Sequence, residues 1–210
     1  MYKKYIKRLL DIAIASIALI LALPIALLIA LVIKLDDRGP VFFKHKRYGQ
    51  NKNPFTIYKF RTMKTTAPKS CPTNDLTNHE QHIMRSGKIL RKLSLDELPQ
   101  LINVLQGKMS LVGPRPVILE ETDLIAERDK YGANECKPGI TGWAQVSGRD
   151  ELRMKIKARM DGEYAKSLGF WMDLKCILLT FWAVVSVKGH REGATTDDSP
   201  QCFELEGEGE

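Results

Sequence analysis

Residues Ile12–Ile33 read IAIASIALILALPIALLIALVI, a run of 22 residues without a charged side chain. As one α-helix this run would be about 33 Å long, and the hydrocarbon core of a bilayer is about 30 Å thick. The run exceeds the apolar part of a secretory signal, and the sequence KLDDR that follows it lacks the small residues of a cleavage site. The sequence therefore predicts a membrane segment, residues 1–36, that stays in the protein.

Pro24, near the middle of this run, indicates how the segment meets the bilayer. Inside a helix, proline removes one backbone hydrogen bond and clashes with the carbonyl group four residues earlier, here that of Ile20. The two arms of a helix broken there would be about 18 and 13 Å long, too short to cross. Basic residues flank both ends of the run, which favours a cytoplasmic position for both ends. A re-entrant hairpin hinged at Pro24 satisfies these observations, and a kinked single span is the alternative.

Charge is distributed unevenly along the 210 residues, which carry 32 Lys and Arg, 25 Asp and Glu and a net charge of +7. Residues 192–210 contain seven acidic and no basic side chains, so residues 1–191 carry +14. An apolar fraction of 44% excludes a disordered chain, and a mean hydropathy of −0.21 excludes a polytopic membrane protein. We expect a basic domain at 37–191 and an acidic tail at 192–210. The anionic partner of such a domain would be a membrane surface, a nucleic acid or a phosphorylated substrate.

Cysteine and histidine residues do not indicate disulfides or a metal site. The four cysteines are Cys71, Cys136, Cys176 and Cys202. None forms a C-x-x-C pair, which favours a reducing compartment on the cytoplasmic side. His79 and His82 are three residues apart, but no third ligand has a spacing typical of zinc sites. We interpret them as part of a solvated loop.

The remaining pattern predicts a single, mostly helical α+β domain. Residues 41–46 and 55–61 are typical of the two strands of a short β-hairpin, because a turn-rich link separates them. Helical periodicity is present at 83–93, 98–106, 117–130 and 151–166. The apolar stretch Phe170–Val187, with Trp171 and Trp182, predicts an amphipathic helix at the membrane interface or, alternatively, a buried core helix.

The segment LSLDELPQL at 93–101 places two adjacent carboxylates, Asp96 and Glu97, near the start of a helix. One interpretation is structural. Ser94 with Glu97 matches a capping box, and Asp96 as the N-cap would place Pro99 where no helical N–H is needed. The other interpretation is catalytic, and spacing alone does not separate the two.

Basic side chains around the acidic pair favour the catalytic interpretation. Lys59 and Arg61 are two residues apart on a predicted strand, so both side chains would leave the same face. Arg91 precedes the pair, Arg115 stands between two prolines in the motif GPRP, and Arg149 follows a glycine. A carboxylate among cations is typical of phosphoryl transfer, and carboxylates beside phosphates also hold Mg²⁺. A solvated strand face and a simple turn are the alternatives for the strand cations and for GPRP.

Three longer motifs allow a comparison with known families. They are IYKFRTM at 57–63, LSLDELPQLINVLQGKMSLVGPRP at 93–116 and KPGITGWAQVSGR at 137–149. In these motifs the chain, up to about residue 189, resembles the bacterial sugar transferases, also called monotopic phosphoglycosyl transferases, in their minimal catalytic form. The resemblance implies a catalytic domain on the cytoplasmic face of the inner membrane and a re-entrant hairpin. Many relatives have Ser-Pro at the bend, where this chain has Leu23-Pro24.

The resemblance also implies a reaction. Asp96 would attack the sugar-linked phosphate of a UDP-sugar, UMP would leave, and polyprenyl (undecaprenyl) phosphate would take the phospho-sugar from the aspartate. Glu97 would assist with metal binding or proton transfer, with Mg²⁺ as the cofactor held by Asp96 and Glu97. Together with the charge pattern, the resemblance indicates six candidate substrate-binding residues: Lys59, Arg61, Arg91, Arg115, Gln145 and Arg149.

Two other function classes stay open. A membrane-anchored protein that binds anionic lipid or RNA without catalysis would explain the basic domain. A structural anchor would explain the apolar segment alone. Neither explains two adjacent carboxylates among cations, so we expect membrane phospholipid but no nucleic acid as a partner. No residue in the sequence identifies the sugar.

Overall fold

The computed structural model of the protein describes residues 1–67, 79–148 and 153–185. The fold is mostly helical with two small sheets, which confirms the predicted α+β class. Arg149 and the predicted acidic tail lie outside the described residues. The elements are α1 (Lys7–Asp36, after a π-helical turn at Tyr2–Ile6), β1 (Phe42–Tyr48), β2 (Pro54–Phe60), α2 (His79–His82), α3 (Arg85–Lys92), α4 (Gln100–Leu105), β3 (Ser110–Val112), α5 (Thr122–Asp129), β4 (Gly139–Thr141), α6 (Trp143–Gly148), α7 (Met154–Ser167) and α8 (Phe170–Val185).

Helix α1 is a single element with Pro24 inside it, so the predicted hairpin of two shorter helices is not confirmed. The buried residues of α1 are Asp11, Ala15, Ile29 and Ile33. At 3.6 residues per turn these four positions share one helix face, on both sides of Pro24. Pro24 itself is exposed on the opposite side. Its ring therefore does not disturb the face that packs against the domain.

Most of the large apolar side chains of α1 are exposed, which is the reverse of a helix of a soluble protein. The face toward the domain contains both small and large residues: Ala15, Ile29 and Ile33 are buried, and Ala18 and Ala26 are half-buried in the core. The large exposed side chains of α1 are Leu9, Ile12, Ile14, Ile17, Ile20, Leu21, Leu23, Ile25, Leu27, Leu28, Leu31, Val32 and Leu35. In the described part of the chain, α1 with its preceding turn is the one helix long and apolar enough to cross a membrane.

Polar contacts hold the first turns of α1 against the domain. Lys7 pairs with Asp173 of α8 at 2.6 Å. Arg8 donates hydrogen bonds to the carbonyl oxygens of Val104 and Leu105, at 2.6 and 2.9 Å. These carbonyls lie at the end of α4, where a helix lacks internal donors and a cation is favourable.

The last turn of α1 is held in the same way. The Asp36 carboxylate accepts hydrogen bonds from the backbone N–H and the hydroxyl of Ser86, at 2.8 and 2.6 Å. The Asp37 carboxylate pairs with Arg61. Because the first and last turns of α1 both contact the same domain, the helix lies along the domain over its whole length.

The two sheets are small. Strands β1 and β2 form the predicted antiparallel hairpin, with Phe43 opposite Lys59 and Arg47 opposite Phe55. Strands β3 and β4 form a parallel pair that the sequence analysis did not predict. A Cβ atom at Gly139 would lie 2.1 Å from the backbone nitrogen of Gly113, so this close pairing requires glycine.

Two predicted elements differ from the structure, and a third, α8, was predicted with two alternatives. The helix predicted at 117–130 begins only at Thr122. The residues before it pair with the end of β1, because the Tyr48 N–H donates to the Val117 carbonyl oxygen at 2.9 Å. The predicted loop contains the short helix α2 at its end. Helix α8 buries Asp173 and Cys176 but exposes Trp171 and Trp182, so it is not a fully buried core helix, and its position at the membrane interface stays a prediction.

Candidate active site

The acidic pair lies in a tight turn that precedes α4. Ser94 adopts a left-handed conformation with φ of 55°, and Leu95–Glu97 forms a 3₁₀ turn. The Ser94 side chain makes no capping hydrogen bond, and the residue at the N-cap of α4 is Pro99. Both capping interpretations of the acidic pair are therefore wrong. The carboxylates are left available for other contacts.

Lysine and arginine side chains surround the pair. Asp96 is 9% exposed, and its Oδ2 lies 3.9 Å from Lys59 Nζ. The same ammonium lies 2.7 Å from Glu97 Oε1, and Arg115 Nη1 lies 3.7 Å from that oxygen. The structure thus brings together two carboxylates and two of the predicted cations. Arg91 also acts on the charge of Asp96, and its Nε donates to the Thr62 hydroxyl at 2.9 Å.

A buried asparagine holds Lys59 in this position. Asn103 of α4 is fully buried, accepts a hydrogen bond from the Tyr58 N–H at 3.0 Å and donates one to the Thr56 carbonyl oxygen at 2.8 Å. These bonds attach α4 to the edge of β2. Since the acidic pair precedes α4 and Lys59 follows Tyr58, the attachment places the ammonium beside the carboxylates.

Arg61 is not among the cations around the pair. Strand β2 ends at Phe60, so the alternation expected for Lys59 and Arg61 does not continue to Arg61. Its Nε donates to the Pro40 carbonyl oxygen, and its two other nitrogens donate to Asp37. The guanidinium of Arg61 therefore secures the end of α1.

Gln145 lies on α6 and donates its side-chain hydrogen bond to the Ile140 carbonyl oxygen at 3.0 Å. Its Oε1 is buried and has no hydrogen-bond partner among the described residues. The structure shows no bond from Gln145 to the acidic pair in the part of the chain that it describes. The predicted nucleotide-sugar contact of Gln145 stays a prediction, as does that of Arg149.

The model of the family described as "Bacterial sugar transferase" matches residues 2–187 of the chain. The chain belongs to the bacterial sugar transferase family. It is 42% identical over 184 residues to the "Uncharacterized sugar transferase EpsL" of Bacillus subtilis, a match that covers 88% of this chain and 89% of that relative.

Two longer members of the family match a smaller share of their own length. The UDP-glucose:undecaprenyl-phosphate glucose-1-phosphate transferase of Escherichia coli is 38% identical over 190 residues, which cover 84% of this chain and 39% of the relative. The undecaprenyl-phosphate glucose phosphotransferase of Komagataeibacter xylinus is 42% identical over 187 residues, which cover 83% of this chain and 35% of the relative. This sugar transferase thus spans little more than a third of these two relatives.

The two carboxylates of this sugar transferase differ in their electrostatics. Burial raises the pKa of Asp96 above its usual range, although Lys59 acts in the opposite direction. Burial would also raise the pKa of Glu97, but the charges of Lys59 and Arg115 outweigh it and lower that pKa to about 2. Glu97 is therefore ionised at any physiological pH. The nearby cations compensate the negative charge of Asp96 less well than that of Glu97.

The carboxylates of Asp96 and Glu97 are suitable ligands for Mg²⁺ only if phosphate oxygens of a substrate supply further ligands. The described residues contain no group of three or more His, Cys, Asp or Glu side chains that could hold a metal ion. Asp96 and Glu97 offer adjacent carboxylates beside the same ammonium. One or two carboxylates completed by substrate phosphates are a common Mg²⁺ site, so these residues fit the ion in that form.

A buried ion pair that the sequence did not indicate supports Arg115. Arg128 Nε and Nη2 donate to Asp161 Oδ2 at 2.9 and 2.5 Å. Arg128 Nη1 donates to the Arg115 carbonyl oxygen at 3.0 Å. The loop is also held by bonds from the Gly113 N–H to Thr141 and from Gly139 to Pro114. No signal at these spacings could have revealed the pair, because its members lie on two separate helices.

Proposed function

We propose that this protein transfers a sugar-1-phosphate from a UDP-sugar to polyprenyl phosphate and releases UMP. The observation that carries the proposal is the Asp96 carboxylate, which is buried beside Glu97, Lys59 and Arg91 and is free of a capping role. Family membership and the printed names of the two longer relatives support the same reaction class. Both names contain undecaprenyl phosphate and glucose, so we take undecaprenyl phosphate as the acceptor and UDP-glucose as the first donor to test.

The first step is a displacement at phosphorus. A carboxylate oxygen of Asp96 forms a bond to the phosphorus that carries the sugar, and the bond from that phosphorus to the bridging oxygen of UMP breaks. UMP departs with the electron pair of this bond. In the second step a phosphate oxygen of the lipid attacks the same phosphorus and expels the Asp96 carboxylate, which leaves a polyprenyl diphosphate sugar.

The neighbours of Asp96 have separate roles in this scheme. Lys59 and Arg91 neutralise the charge that develops on the phosphate oxygens. Because the pKa of Glu97 is about 2, Glu97 acts as a fixed negative charge and not as a proton donor. With substrate bound, Asp96 and Glu97 together with phosphate oxygens would hold Mg²⁺, which supplies further neutralisation of the phosphate charge.

The same proposal includes the position of the protein at the membrane. A helix that crossed a bilayer would carry one of its ends away from the domain, but both ends of α1 contact the domain. We therefore propose that α1 enters the cytoplasmic face without crossing and that Pro24 provides any bend. The exposed Trp171 and Trp182 of α8 lie at headgroup depth. This position lets a soluble UDP-sugar and a lipid-linked phosphate reach the same carboxylate.

The full-length protein in lipid nanodiscs, with UDP-glucose, undecaprenyl phosphate and Mg²⁺, tests the reaction. We expect UMP release that Asp96→Asn abolishes, while Asp123→Asn, which removes an exposed carboxylate, leaves it unchanged. Without the lipid acceptor, intact-mass measurement should show a phospho-sugar adduct in the unchanged protein and none in Asp96→Asn. Normal turnover by Asp96→Asn would remove this residue from the mechanism.

A second experiment tests the position of α1. In a cysteine-free variant, Lys3→Cys and Lys34→Cys place single thiols at the two ends of the helix. We expect both thiols to react with an impermeant maleimide in inside-out membrane vesicles and neither to react in right-side-out vesicles. Reaction of the two thiols from opposite sides would establish a crossing helix.

A further inference from the structure

Arg47 lies on the same face of the β-hairpin as Lys59. In the hairpin Phe43 is opposite Lys59, and Arg47 is opposite Phe55. Residues directly opposite one another in an antiparallel pair share a face, and side chains along one strand return to that face at every second position. Arg47 is four positions from Phe43, so its side chain extends from the same face of the hairpin as that of Lys59. Lys59 on this face contacts the acidic pair.

The strand also brings Arg47 close to Arg115. The segment that follows the GPRP motif pairs with the end of β1, through a bridge between Arg47 and Ile118 and the bond from the Tyr48 N–H to Val117. Burial, and after it the positive charge of Arg115, lower the pKa of Arg47 to about 10. The chain that carries Arg115 therefore runs beside the end of β1 that carries Arg47, and Arg115 Nη1 itself lies 3.7 Å from Glu97 Oε1.

Arg47 has an unused donor. Its Nε is buried and has no hydrogen-bond partner among the described residues. Glu121, Glu120 and Glu97 act on its charge, but none of them accepts a bond from this nitrogen. A buried N–H without an acceptor is unfavourable, and two neighbouring guanidinium groups repel each other. An anion that accepts bonds from both groups would remove both costs.

We infer that Arg47, together with Arg115, binds the phosphate of the departing nucleotide, an inference that rests on the proposed function. Arg91 acts on the charge of Asp96, which bonds to the transferred phosphorus, and Lys59 lies between the two carboxylates, 3.9 Å from Asp96 Oδ2 and 2.7 Å from Glu97 Oε1. Arg115 Nη1 lies 3.7 Å from Glu97 Oε1, and the segment that follows Arg115 pairs with Arg47 on β1. The two arginines thus lie on the Glu97 side of the site, where the phosphate that leaves is separated from the nucleophile. Guanidinium groups suit this task because they donate two parallel bonds to phosphate oxygens.

The test compares inhibition by UMP with inhibition by uridine, which lacks the phosphate. Inhibition constants are measured with the full-length protein in nanodiscs, for the unchanged protein and for Arg47→Gln. We expect the constant for UMP to rise at least tenfold and the constant for uridine to change less than twofold. Lys46→Gln is the matched control, because it removes one positive charge from the adjacent, exposed position on the opposite face of β1. We expect Lys46→Gln to leave both constants unchanged.

The outcomes are distinguishable. Suppose that the protein without substitution is active and that Arg47→Gln has the same ratio of the UMP constant to the uridine constant. This result would overturn the inference and leave the proposed function intact. No UMP release by the unchanged protein with any UDP-sugar would overturn the proposed function and the inference with it. If Arg47→Gln does not fold, Arg47→Lys keeps the charge but lacks the paired donors. We then expect a smaller, phosphate-dependent rise of three- to tenfold, and no rise would overturn the inference.

Discussion

We expect Asp161→Asn to lower the free energy of unfolding by about 3–5 kcal/mol, because it leaves the Arg128 guanidinium buried without a counter-ion. The side chains of Arg128 and Asp161 are 6% and 2% exposed, so water cannot replace the lost carboxylate charge. Two guanidinium nitrogens donate to one carboxylate oxygen, and both bonds weaken when that oxygen becomes neutral. Urea unfolding of the detergent-solubilised protein measures the change.

The double variant Arg128→Met, Asp161→Leu separates stability from function. The two charged side chains are almost fully buried, so the cost of their desolvation offsets much of their attraction. An apolar replacement should therefore restore most of the lost stability. It cannot restore the bond to the Arg115 carbonyl oxygen. We expect kcat/KM for UMP release to stay about tenfold or more below normal, because the loop that carries Arg115 is less well held.

An exposed ion pair on the same helix is the control. Arg159 and Glu163 are 3.4 Å apart, with side chains 71% and 49% exposed. We expect Glu163→Gln to cost about 0.3–0.5 kcal/mol at most. A loss below about 1 kcal/mol in Asp161→Asn would refute the reasoning about burial. Full recovery of kcat/KM in the double variant would refute the role assigned to Arg128.

Three further predictions concern the site, its charge and the membrane surface. Lys59→Gln should lower turnover, measured as UMP release, about a hundredfold or more. Arg61→Gln should leave UMP release by the folded protein unchanged and lower the unfolding temperature in a thermal scan. Because the folded pKa of Glu97 is about 2 against an ordinary 4.5, its ionisation contributes about 3 kcal/mol of stability that is present above pH 4.5 and lost as the pH falls to about 2. Unfolding curves of the unchanged protein and of Glu97→Gln across this range should converge at the acidic end. Changing the exposed Trp171 and Trp182 to alanine should weaken binding to lipid vesicles in flotation assays without changing the unfolding midpoint in urea.

The raised pKa of the Asp96 carboxylate predicts that one substitution has opposite effects on stability and on activity. Its folded pKa is raised, so its contribution to stability is highest below the ordinary pKa of 3.8 and falls as the pH rises through the folded value. Asp96→Asn should therefore raise the unfolding midpoint at neutral pH while it abolishes turnover. This opposite effect on stability and activity is common where a buried charge is needed for chemistry.

Local patterns predicted the elements whose residues interact with near neighbours in the sequence. The hairpin, α3, α4 and α8 follow from side-chain periodicity, and Gly107, with φ of 78°, ends α4 as a local cap. No strand was predicted at β3 or β4, because each has only three residues and is stabilised by the other, across a long stretch of chain.

The membrane segment shows where local reasoning reaches its limit. The run of apolar residues predicted that α1 is a membrane segment, and the presence of Pro24 suggested a break. Whether a proline breaks a helix depends on what the rest of the helix packs against. Here the buried face of α1 lies along the domain on both sides of Pro24, and contacts with residues far away in the sequence hold both ends.

The sequence by itself predicted that Asp96 and Glu97 act in phosphoryl transfer with Lys59 and Arg115 as cations for phosphate, because residue types can be read from the sequence directly. Only the tertiary structure decided which cations reach the pair. Lys59 does so because Asn103 attaches α4 to β2, whereas the neighbouring Arg61 is taken by Asp37 at the end of α1. The energy of an ion pair depends on distance and burial, and both are set by contacts between elements that are distant in the chain.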